Sequence, residues 1–431
     1  MKKSRNVLAA LTAISLCAVV LSGSALAVRP AAVVTEPVAE YTVVGKKEFS
    51  PYLLPGESER QMIVRWVGSQ VKAPLTVLYG PDEGDGELPA DFACADVTFS
   101  MAPPDINADF RFLYQAELTV EPDTRYVYGI SAGGEEPTVL YPFAAPGEDG
   151  VFSAVFVSDT HLVNARHSAS LETTLETALA HKLSEGEMLD GMFHMGDLVN
   201  TPQMPLGVLT RNVPLLHSLP AVYVAGNHDY DKSVYSFFPM PHQDRLTRDY
   251  WFVRGGTLFI GVNCRYGIGE KHTNFVRTAC QEAPEHNWTV VMLHYGIRSN
   301  GFHGRDQAAC YTFRVALEPI MAEMDVDLVF AGHDHEYNRT PLFGPEGVVP
   351  DSSGGQVVKA PGERVYLTVP TGSDSKHYTK NVEIDFAMAA EALEQDRGYL
   401  LVDFTPEQIR VRAVNAVTGE TADEFVLSRG E

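Results

Sequence analysis

The chain has 431 residues, 45% of them hydrophobic and 21% charged. Single domains run to roughly 100 to 200 residues, so this length predicts two globular units with enough apolar residues for a core in each. The formal net charge of −23 excludes nucleic acid and anionic membranes as expected partners, because so acidic a surface repels both. An anionic ligand would need a local positive centre, such as bound metal ions.

The first 27 residues have the pattern of a secretory signal peptide. A basic start precedes an apolar run over residues 7–21, and a small-residue cleavage site ends at Ala27. A retained membrane anchor is the alternative, but roughly 15 apolar residues fall short of the length that spans a bilayer. We therefore expect cleavage near Ala27, a secreted or extracytoplasmic protein and no stable membrane insertion. Three basic residues leave with the peptide, which moves the formal charge from −23 to −26.

Residues 28–147 predict a small all-β sandwich. Met62, Val64 and Trp66 occupy alternate positions, a short apolar run covers residues 75–79, and Pro122-Asp123-Thr124 marks a turn between later strands. Repeated short strands with turn signals between them are typical of a β-sandwich. Residues 144–150, with a proline and two glycines, predict the linker to the second unit.

Residues 148–431 predict a layered α/β domain. Apolar strand-like runs cover residues 151–157, 192–195, 221–225, 289–293 and 327–331. Between them, Leu171, Leu175, Leu179 and Leu183 recur every fourth residue, which predicts a helix. The Gly- and Pro-rich residues 341–395 predict mostly long loops, and strand patterns at 399–404, 409–414 and 424–427 predict a second sheet that closes the domain.

Four cysteines remain after cleavage: Cys94, Cys264, Cys280 and Cys310. Export permits disulfides, and all three complete pairings stay open. Cys94 falls in the other predicted unit, and we expect it to be a free buried thiol. The absence of a Cys-x-x-Cys pair argues against a thiolate metal site.

A metal-capable side chain follows the end of each of the five strand-like runs. In chain order these groups are Asp159 with His161, Asp197, Asn227 with His228 and Asp229, His294, and His333 with His335. Each alone has an ordinary structural explanation, as a helix cap, a turn residue or a core histidine. Ligand sites assemble at the carboxyl ends of strands in α/β sheets, so the five groups together predict convergence. Carboxylates and imidazoles favour iron, manganese, zinc or cobalt, and two such ions suit phosphoester hydrolysis.

The motifs Asp159-Thr160-His161, Gly196-Asp197, Gly226-Asn227-His228-Asp229, His294 and Gly332-His333-Asp334-His335 resemble those of the calcineurin-like metallophosphoesterases. The resemblance implies one metal held by Asp159, His161, Asp197 and His335, and a second held by Asp197, Asn227, His294 and His333. Asp197 would bridge the two metals. His228 would sit over the phosphate as an acid or transition-state stabiliser, with Asp229 orienting its ring, while a metal-bound hydroxide attacks.

Within that superfamily the chain is similar to the purple acid phosphatases, on the strength of Trp66, Tyr79-Gly80, the Pro122-Asp123-Thr124-x-Tyr126 pattern and residues 332–340. The resemblance implies a four-layer αββα domain preceded by a fibronectin-III-like sandwich. Two positions depart from the family pattern, because Asn200 replaces its tyrosine three residues after the bridging aspartate and His161 replaces a glycine. Without that tyrosine we expect a colourless enzyme rather than a purple Fe(III) one.

The sequence therefore predicts a secreted dinuclear-metal phosphatase that acts on small phosphomonoesters. A phosphodiesterase or nucleotide hydrolase with the same ions is one alternative, and a surface binding protein on an inactive phosphatase scaffold is another. Arg298, His303 and Arg305 lie in a glycine-bearing loop after His294 and are candidates to bind phosphate, although basic loops are commonly just solvated.

Overall fold

A computed structural model describes residues 49–69, 73–103, 112–147, 149–200, 206–305, 307–378 and 386–430. The predicted signal peptide lies outside these ranges. Within them, none of the helices combines the length and the apolar character that crossing a bilayer requires.

The N-terminal region folds as two four-stranded antiparallel sheets in its described part. Its strands are β1 (Tyr52–Pro55), β2 (Gln61–Gly68), β3 (Leu75–Pro81), β4 (Ala93–Asp96), β5 (Thr98–Met101), β6 (Phe112–Thr119), β7 (Arg125–Ala132) and β8 (Tyr141–Ala144). The two sheets have the strand orders β1-β2-β6-β5 and β4-β3-β7-β8. Trp66 stacks on Tyr114 in their shared core, with ring centroids 5.4 Å apart. The predicted all-β region is confirmed.

Cys94 is exposed, so the prediction of a buried thiol is wrong. It lies in β4, an edge strand in which only Ala95 turns inward. Because successive side chains of a strand point to opposite faces, burying Ala95 places Cys94 in solvent. The four described cysteines are all free thiols.

The larger region contains two seven-stranded sheets, a short hairpin and five α-helices among the described residues. Its strands are β9 (Phe152–Val157), β10 (Gly191–His194), β11 (Ala221–Tyr223), β12 (Tyr250–Arg254), β13 (Thr257–Val262), β14 (Trp288–Leu293), β15 (Leu328–Ala331), β16 (Tyr337–Arg339), β17 (Phe343–Gly344), β18 (Gly347–Val348), β19 (Gln356–Lys359), β20 (Val365–Thr368), β21 (Ala390–Ala392), β22 (Gly398–Phe404), β23 (Gln408–Asn415) and β24 (Thr421–Arg429). The helices are α1 (Ala165–Ser184), α2 (Leu206–Asn212), α3 (Asp231–Phe237), α4 (Glu270–Glu282) and α5 (Gln307–Glu323). Short 3-10 helices cover Pro214–His217 and Phe302–Arg305.

The two large sheets face each other across one apolar core. The first sheet has the order β11-β10-β9-β22-β23-β24-β19, and the second has the order β12-β13-β14-β15-β20-β16-β21. Phe156 of the first sheet stacks on Phe330 of the second, with ring centroids 4.2 Å apart. Alternate residues of β13, such as Leu258 and Ile260, pack instead with α4 and α5 on the outer side. Helix α1 contacts β22 of the first sheet, so the predicted four-layer arrangement is confirmed.

The partners of the C-terminal strands differ from the prediction. β22 pairs antiparallel with β9, so β22–β24 extend the first sheet instead of forming a second one. The second sheet is built on β13, β14 and β15, and β20, inside the segment expected to be mostly loops, runs parallel to β15. Apolar periodicity identifies a strand but carries no information about which strand lies beside it.

The leucine pattern of α1 is only partly buried. Leu171 and Leu175 are fully buried, whereas Leu183 is exposed and Lys182 takes the buried position. A helix turns every 3.6 residues, so a strict four-residue spacing drifts around the helix and leaves the core. Asn164 caps the start of the helix by accepting a hydrogen bond from the His167 N–H at 3.1 Å.

The N-terminal region contacts the larger region on both sides of β11 in the chain. The Tyr52 hydroxyl donates to the Phe237 carbonyl at the end of α3, and the two rings stack 4.5 Å apart. Arg65 donates to the Ser236 carbonyl at 2.8 Å, and the Tyr128 hydroxyl donates to the His217 carbonyl at 2.8 Å. The contacts of Tyr52 and Arg65 fix α3, the helix that begins two residues after the motif of residues 226–229.

Removing the buried ammonium of Lys182 should destabilise the fold. Lys182 lies on the buried face of α1, and its Nζ is 2.7 Å from Asp403 Oδ1. Lys182→Ala leaves that carboxylate only partly compensated, so we expect the free energy of unfolding to fall by about 3 kcal/mol in urea denaturation. Arg410→Ala removes a partly exposed pair with Glu424 and should cost less than about 1 kcal/mol. Equal losses in the two variants would contradict this assignment.

Candidate metal centre

The carboxyl ends of five strands bring the predicted ligands together. β9, β10 and β11 of the first sheet lead into Asp159 with His161, Asp197, and Asn227 with His228. β14 and β15 of the second sheet lead into His294 and into His333 with His335. Although the strands belong to two different sheets, their ligand-capable atoms form three overlapping groups: Asp159-His161-His335, His161-Asp197-His228 and Asp197-His294-His333.

Five of these residues have left-handed backbone conformations. Their φ angles are 47° at Asp159, 42° at His161, 54° at Asp197, 74° at His333 and 61° at His335. A residue with a Cβ pays roughly 1 kcal/mol or more for such a conformation, and strain of this kind clusters at functional sites. Backbone hydrogen bonds between the loops hold it in place, from the Asp159 N–H to the Gly196 carbonyl and from the His161 N–H to the Asp197 carbonyl, both at 2.9 Å.

Two glycines allow the loops to approach closely. A Cβ on Gly226 would lie 2.1 Å from Asp197 Oδ1, and one on Gly332 would lie 2.0 Å from Ser158 Oγ. Both distances are far below contact distance, so a side chain at either position would push a predicted ligand or its neighbour aside. The glycine of each of these two motifs is therefore required by packing.

The first group consists of Asp159, His161 and His335. The Nε2 atoms of the two histidines are 3.1 Å apart, and His335 Nε2 lies 3.4 Å from Asp159 Oδ1. His335 Nδ1 donates to the Lys376 carbonyl at 3.0 Å, which directs the Nε2 side of the ring at the group. Asp159 Oδ1 is buried and has no hydrogen-bond partner among the described residues. Lone pairs and a carboxylate oxygen that converge without a donor fit a bound cation.

The second group consists of Asp197, His294 and His333. His294 Nε2 lies 3.5 Å from Asp197 Oδ1 and 3.0 Å from Asn227 Oδ1, while its Nδ1 donates to the Met195 carbonyl at 2.8 Å. The His333 ring centroid is 5.0 Å from that of His294. The other Asp197 oxygen, Oδ2, lies 3.6 Å from His161 Nε2 of the first group. Asp197 thus has one oxygen directed at each group, the placement expected of a bridging carboxylate.

The electrostatics of the two groups favour cation binding. Burial lowers the pKa of His161 to about 3, so this imidazole is neutral and its lone pair is available. Burial alone would raise the pKa of Asp159, but the adjacent His335 holds it well below its usual range. Burial opposes the protonated form of His294, yet the Asp197 carboxylate beside it raises the His294 pKa to about 10. A cation at this position would take the place of that proton.

His228 lies at the open side of the groups. Its side chain is 35% exposed, and its ring centroid is 4.7 Å from that of His161. The His228 backbone N–H donates to Asp197 Oδ1 at 2.8 Å, and its ring Nδ1 donates to the Asn200 carbonyl at 3.3 Å. The ring is therefore anchored through Nδ1, with Nε2 3.9 Å from Asp197 Oδ2.

Asp229 does not hold the His228 ring, contrary to the prediction. It is fully buried and accepts hydrogen bonds from three backbone N–H groups, those of Leu198 at 3.3 Å, Val199 at 3.2 Å and Gly226 at 2.9 Å. Burial, together with the nearby Asp197 charge, raises its pKa to about 6. Asp229 therefore joins the loop after β10 to the loop after β11, and the Asn200 carbonyl orients the imidazole.

The three candidate phosphate-binding residues are placed differently. The His303 ring lies over His333, with centroids 4.4 Å apart, and its backbone N–H donates to Asp334 Oδ1 at 2.7 Å. Arg298 instead pairs with Glu318 at 2.5 Å and covers the Phe343 ring, so its charge is satisfied within the protein. The side chain of Arg305 lies outside the described part of the chain.

His194 is a buried histidine behind the ligands that the sequence did not predict. His194 ends β10, and its Nε2 donates to Thr160 Oγ1 at 3.0 Å because that hydroxyl itself donates to the Leu198 carbonyl. Its Nδ1 accepts from the Gly196 N–H at 3.3 Å. The ring thus ties the Asp159-Thr160-His161 loop to the Gly196-Asp197 loop. The one sequence signal that could have identified it is its position two residues before the Gly196-Asp197 motif.

A side chain at Gly226 should weaken metal binding by displacing Asp197. We expect Gly226→Ala to lower the affinity for Mn²⁺ at least tenfold in calorimetric titration of the folded protein. The matched control is Gly269→Ala, whose new Cβ would meet nothing within 4 Å. Unchanged affinity in Gly226→Ala would show that Asp197 is not held in the position described.

Comparison with known proteins agrees with this geometry. Residues 152–337, which include every predicted ligand, match the calcineurin-like phosphoesterase family. A purple acid phosphatase from Glycine max is 27% identical over 140 residues, which are 28% of this chain and only 30% of that protein. A phosphoenolpyruvate phosphatase from Allium cepa is 22% identical over 375 residues, covering 77% of this chain and 72% of that protein.

Solved structures show the same fold over most of the chain. The purple acid phosphatase PPD1 from yellow lupin (Lupinus luteus) superposes with a TM-score of 0.73 at 17% identity, covering 88% of this chain and 74% of that one. The structure of PhoD superposes with a TM-score of 0.58 at 12% identity, covering 88% and 89% of the two chains. Residues 152–337 are thus similar to a calcineurin-like phosphoesterase domain, within a fold similar to that of the purple acid phosphatases.

Proposed function

We propose that this protein is a metal-dependent phosphatase that hydrolyses small phosphomonoesters at a site for two divalent metal ions. The observation that carries the proposal is the placement of Asp197, whose Oδ1 faces His294 and whose Oδ2 faces His161. One buried carboxylate between two groups of imidazoles suits two ions that share a ligand. The similarity to two plant phosphatases supports the same reaction.

The two ions would have separate sets of ligands around the shared carboxylate. Asp159, His161 and His335 would hold one ion, and Asn227, His294 and His333 would hold the other. When bound, such ions supply positive charge to the phosphoryl oxygens and lower the pKa of the attacking water. The donors are oxygens and imidazole nitrogens, which suit iron, manganese, zinc and cobalt. With Asn200 in place of a tyrosine, we expect even the iron-loaded protein to lack a visible absorption band.

The residues of the chain would bind the phosphate and assist the leaving group. His303 is half-buried and its ring lies beside His333, with centroids 4.4 Å apart, so it can donate to a phosphate oxygen near the second group. His228 is open to solvent beside the first group, and a protonated ring held through Nδ1 can donate from Nε2 to the leaving oxygen. Asp197 and Asn200 both orient His228, and Asn200 acts only through it.

We also propose that the mature protein is exported. The support is the signal-peptide pattern of residues 1–27, followed by a cleavage site at Ala27. Sequencing of the N-terminus of protein recovered outside the cytoplasm should give a chain that starts at Val28. A retained N-terminus would show that this segment is an anchor.

Removal of the Asn227 amide should abolish turnover. Asn227→Ala is expected to lower kcat/KM for 4-nitrophenyl phosphate at least a hundredfold in Mn²⁺- or Zn²⁺-loaded protein, whereas the exposed substitution Asn274→Ala on α4 should leave it unchanged. Loaded parent protein that fails on every phosphate ester would overturn the proposal and favour a binding function. Faster hydrolysis of bis(4-nitrophenyl) phosphate would identify a diesterase instead.

The loss caused by removing His228 should depend on the leaving group. An alkoxide needs a proton as it departs, and a positioned acid contributes typically 10²- to 10⁴-fold, whereas 4-nitrophenolate departs readily without one. We therefore expect His228→Ala to lower kcat at least a hundredfold for an alkyl phosphate and less than tenfold for 4-nitrophenyl phosphate. Equal losses on the two esters would remove His228 from the role of acid.

A further inference from the structure

Two exposed tyrosines flank an arginine at the rim of the metal centre. Tyr230 is 46% exposed and Tyr266 is 73% exposed. The Arg265 guanidinium carbon lies 5.8 Å from the centroid of the Tyr230 ring and 5.4 Å from that of Tyr266. We call these three residues the Arg265 platform. Exposed aromatic side chains beside a cation are a common feature of sites that bind planar groups.

The platform is attached to the loop that carries the predicted ligand Asn227 and the predicted acid His228. Arg265 Nη1 donates to the carbonyls of both Gly226 and Asn227 at 2.9 Å. Tyr230 lies two residues after His228 in the same segment. The platform therefore adjoins the edge of the site at which His228 is open to solvent.

Among the residues that the structure describes, none forms an ion pair that neutralises the charge of Arg265. No carboxylate in the described ranges lies within 4.0 Å of its guanidinium, although the chain carries 56 acidic residues against 33 basic ones. Two carbonyls fix the guanidinium through Nη1, and the centroids of the Tyr230 and Tyr266 rings lie 5.8 Å and 5.4 Å from its central carbon. Because both tyrosine rings are exposed, a further aromatic ring can stack on them, with the positive charge of the guanidinium beside the stack.

We propose that the Arg265 platform binds a planar aromatic ring in the alcohol portion of the substrate, as in a nucleoside monophosphate. This inference rests on the proposed phosphatase function. In that reaction the phosphate would bind beside the two ligand groups, and the leaving oxygen would lie at His228. The alcohol portion of the substrate would therefore extend beyond His228. The platform is the aromatic surface that adjoins that edge.

The proposal is tested with two esters that share a leaving group. Adenosine 5′-monophosphate and ribose 5-phosphate both release a primary 5′ alkoxide, so they differ in the purine and not in the departing oxygen. We expect kcat/KM to be about tenfold higher for the nucleotide, mainly through a lower KM because stacking stabilises the ground state and transition state alike. Tyr266→Ala should bring the ratio close to one, whereas Tyr266→Phe, which keeps the ring, should preserve it.

The matched control is Tyr311→Ala, on α5. Tyr311 is also exposed, and its ring centroid lies 5.5 Å from the guanidinium carbon of Arg314. This variant should keep the parent ratio. A parent ratio near one, or a ratio that Tyr266→Ala does not change, would overturn the platform.

A second measurement separates failure of the platform from failure of the proposed phosphatase function. If neither ester nor 4-nitrophenyl phosphate is hydrolysed, the proposed function fails. Calorimetric binding of the two esters to the Mn²⁺-loaded protein then decides the platform alone. Tighter binding of the nucleotide that is lost in Tyr266→Ala supports it, and equal affinities overturn it.

Discussion

The ionised carboxylate of Asp197, buried between two groups of imidazoles, is the charge on which the rest of the site depends. A carboxylate in a protein interior stays ionised only if positive charge or hydrogen-bond donors surround it. His294 and His161 approach its two oxygens, and the His228 N–H donates to one of them. The neighbouring Gly226 must lack a side chain, since a Cβ there would overlap this carboxylate. Ligand placement, backbone packing and the proposed acid are therefore coupled through one residue.

The loops that surround this carboxylate have strained backbones, and a closely packed framework of strands supports them. Left-handed backbones at Asp159 and His333 are tolerated because the loops rest on fully buried strands whose aromatic rings interlock between the sheets. Behind the ligands, His194 and Asp229 join adjacent loops through hydrogen bonds. The N-terminal sheets add support from outside, since Tyr52 packs on the end of α3. The small domain thus stabilises the geometry of a site to which it contributes no predicted ligand.

The ligand groups and the rim supply different parts of the proposed reaction. The groups are built from carboxylates and imidazoles that suit cations and, through them, phosphate. The rim is where substrates with the same phosphate can be told apart, and Tyr266 with Arg265 presents an aromatic surface there. Because the chain has a formal charge of −23, most of its surface would repel an anionic ester. Only the proposed metal centre and the cationic side chains close to it would attract such a substrate. Affinity and choice of alcohol would then be set by separate residues.

The sequence by itself determined the two regions and the metal-capable side chains that follow the strand ends, because apolar periodicity and motif spacing are local properties. It did not determine that β22–β24 would join β9 in one sheet, since strand pairing depends on contacts across the whole chain. Nor could it reveal that Asp229 binds backbone N–H groups and that Arg298 pairs with Glu318, or that Arg265 reaches the carbonyl of Asn227. Those roles depend on side chains meeting from distant segments, so only the tertiary structure decided them.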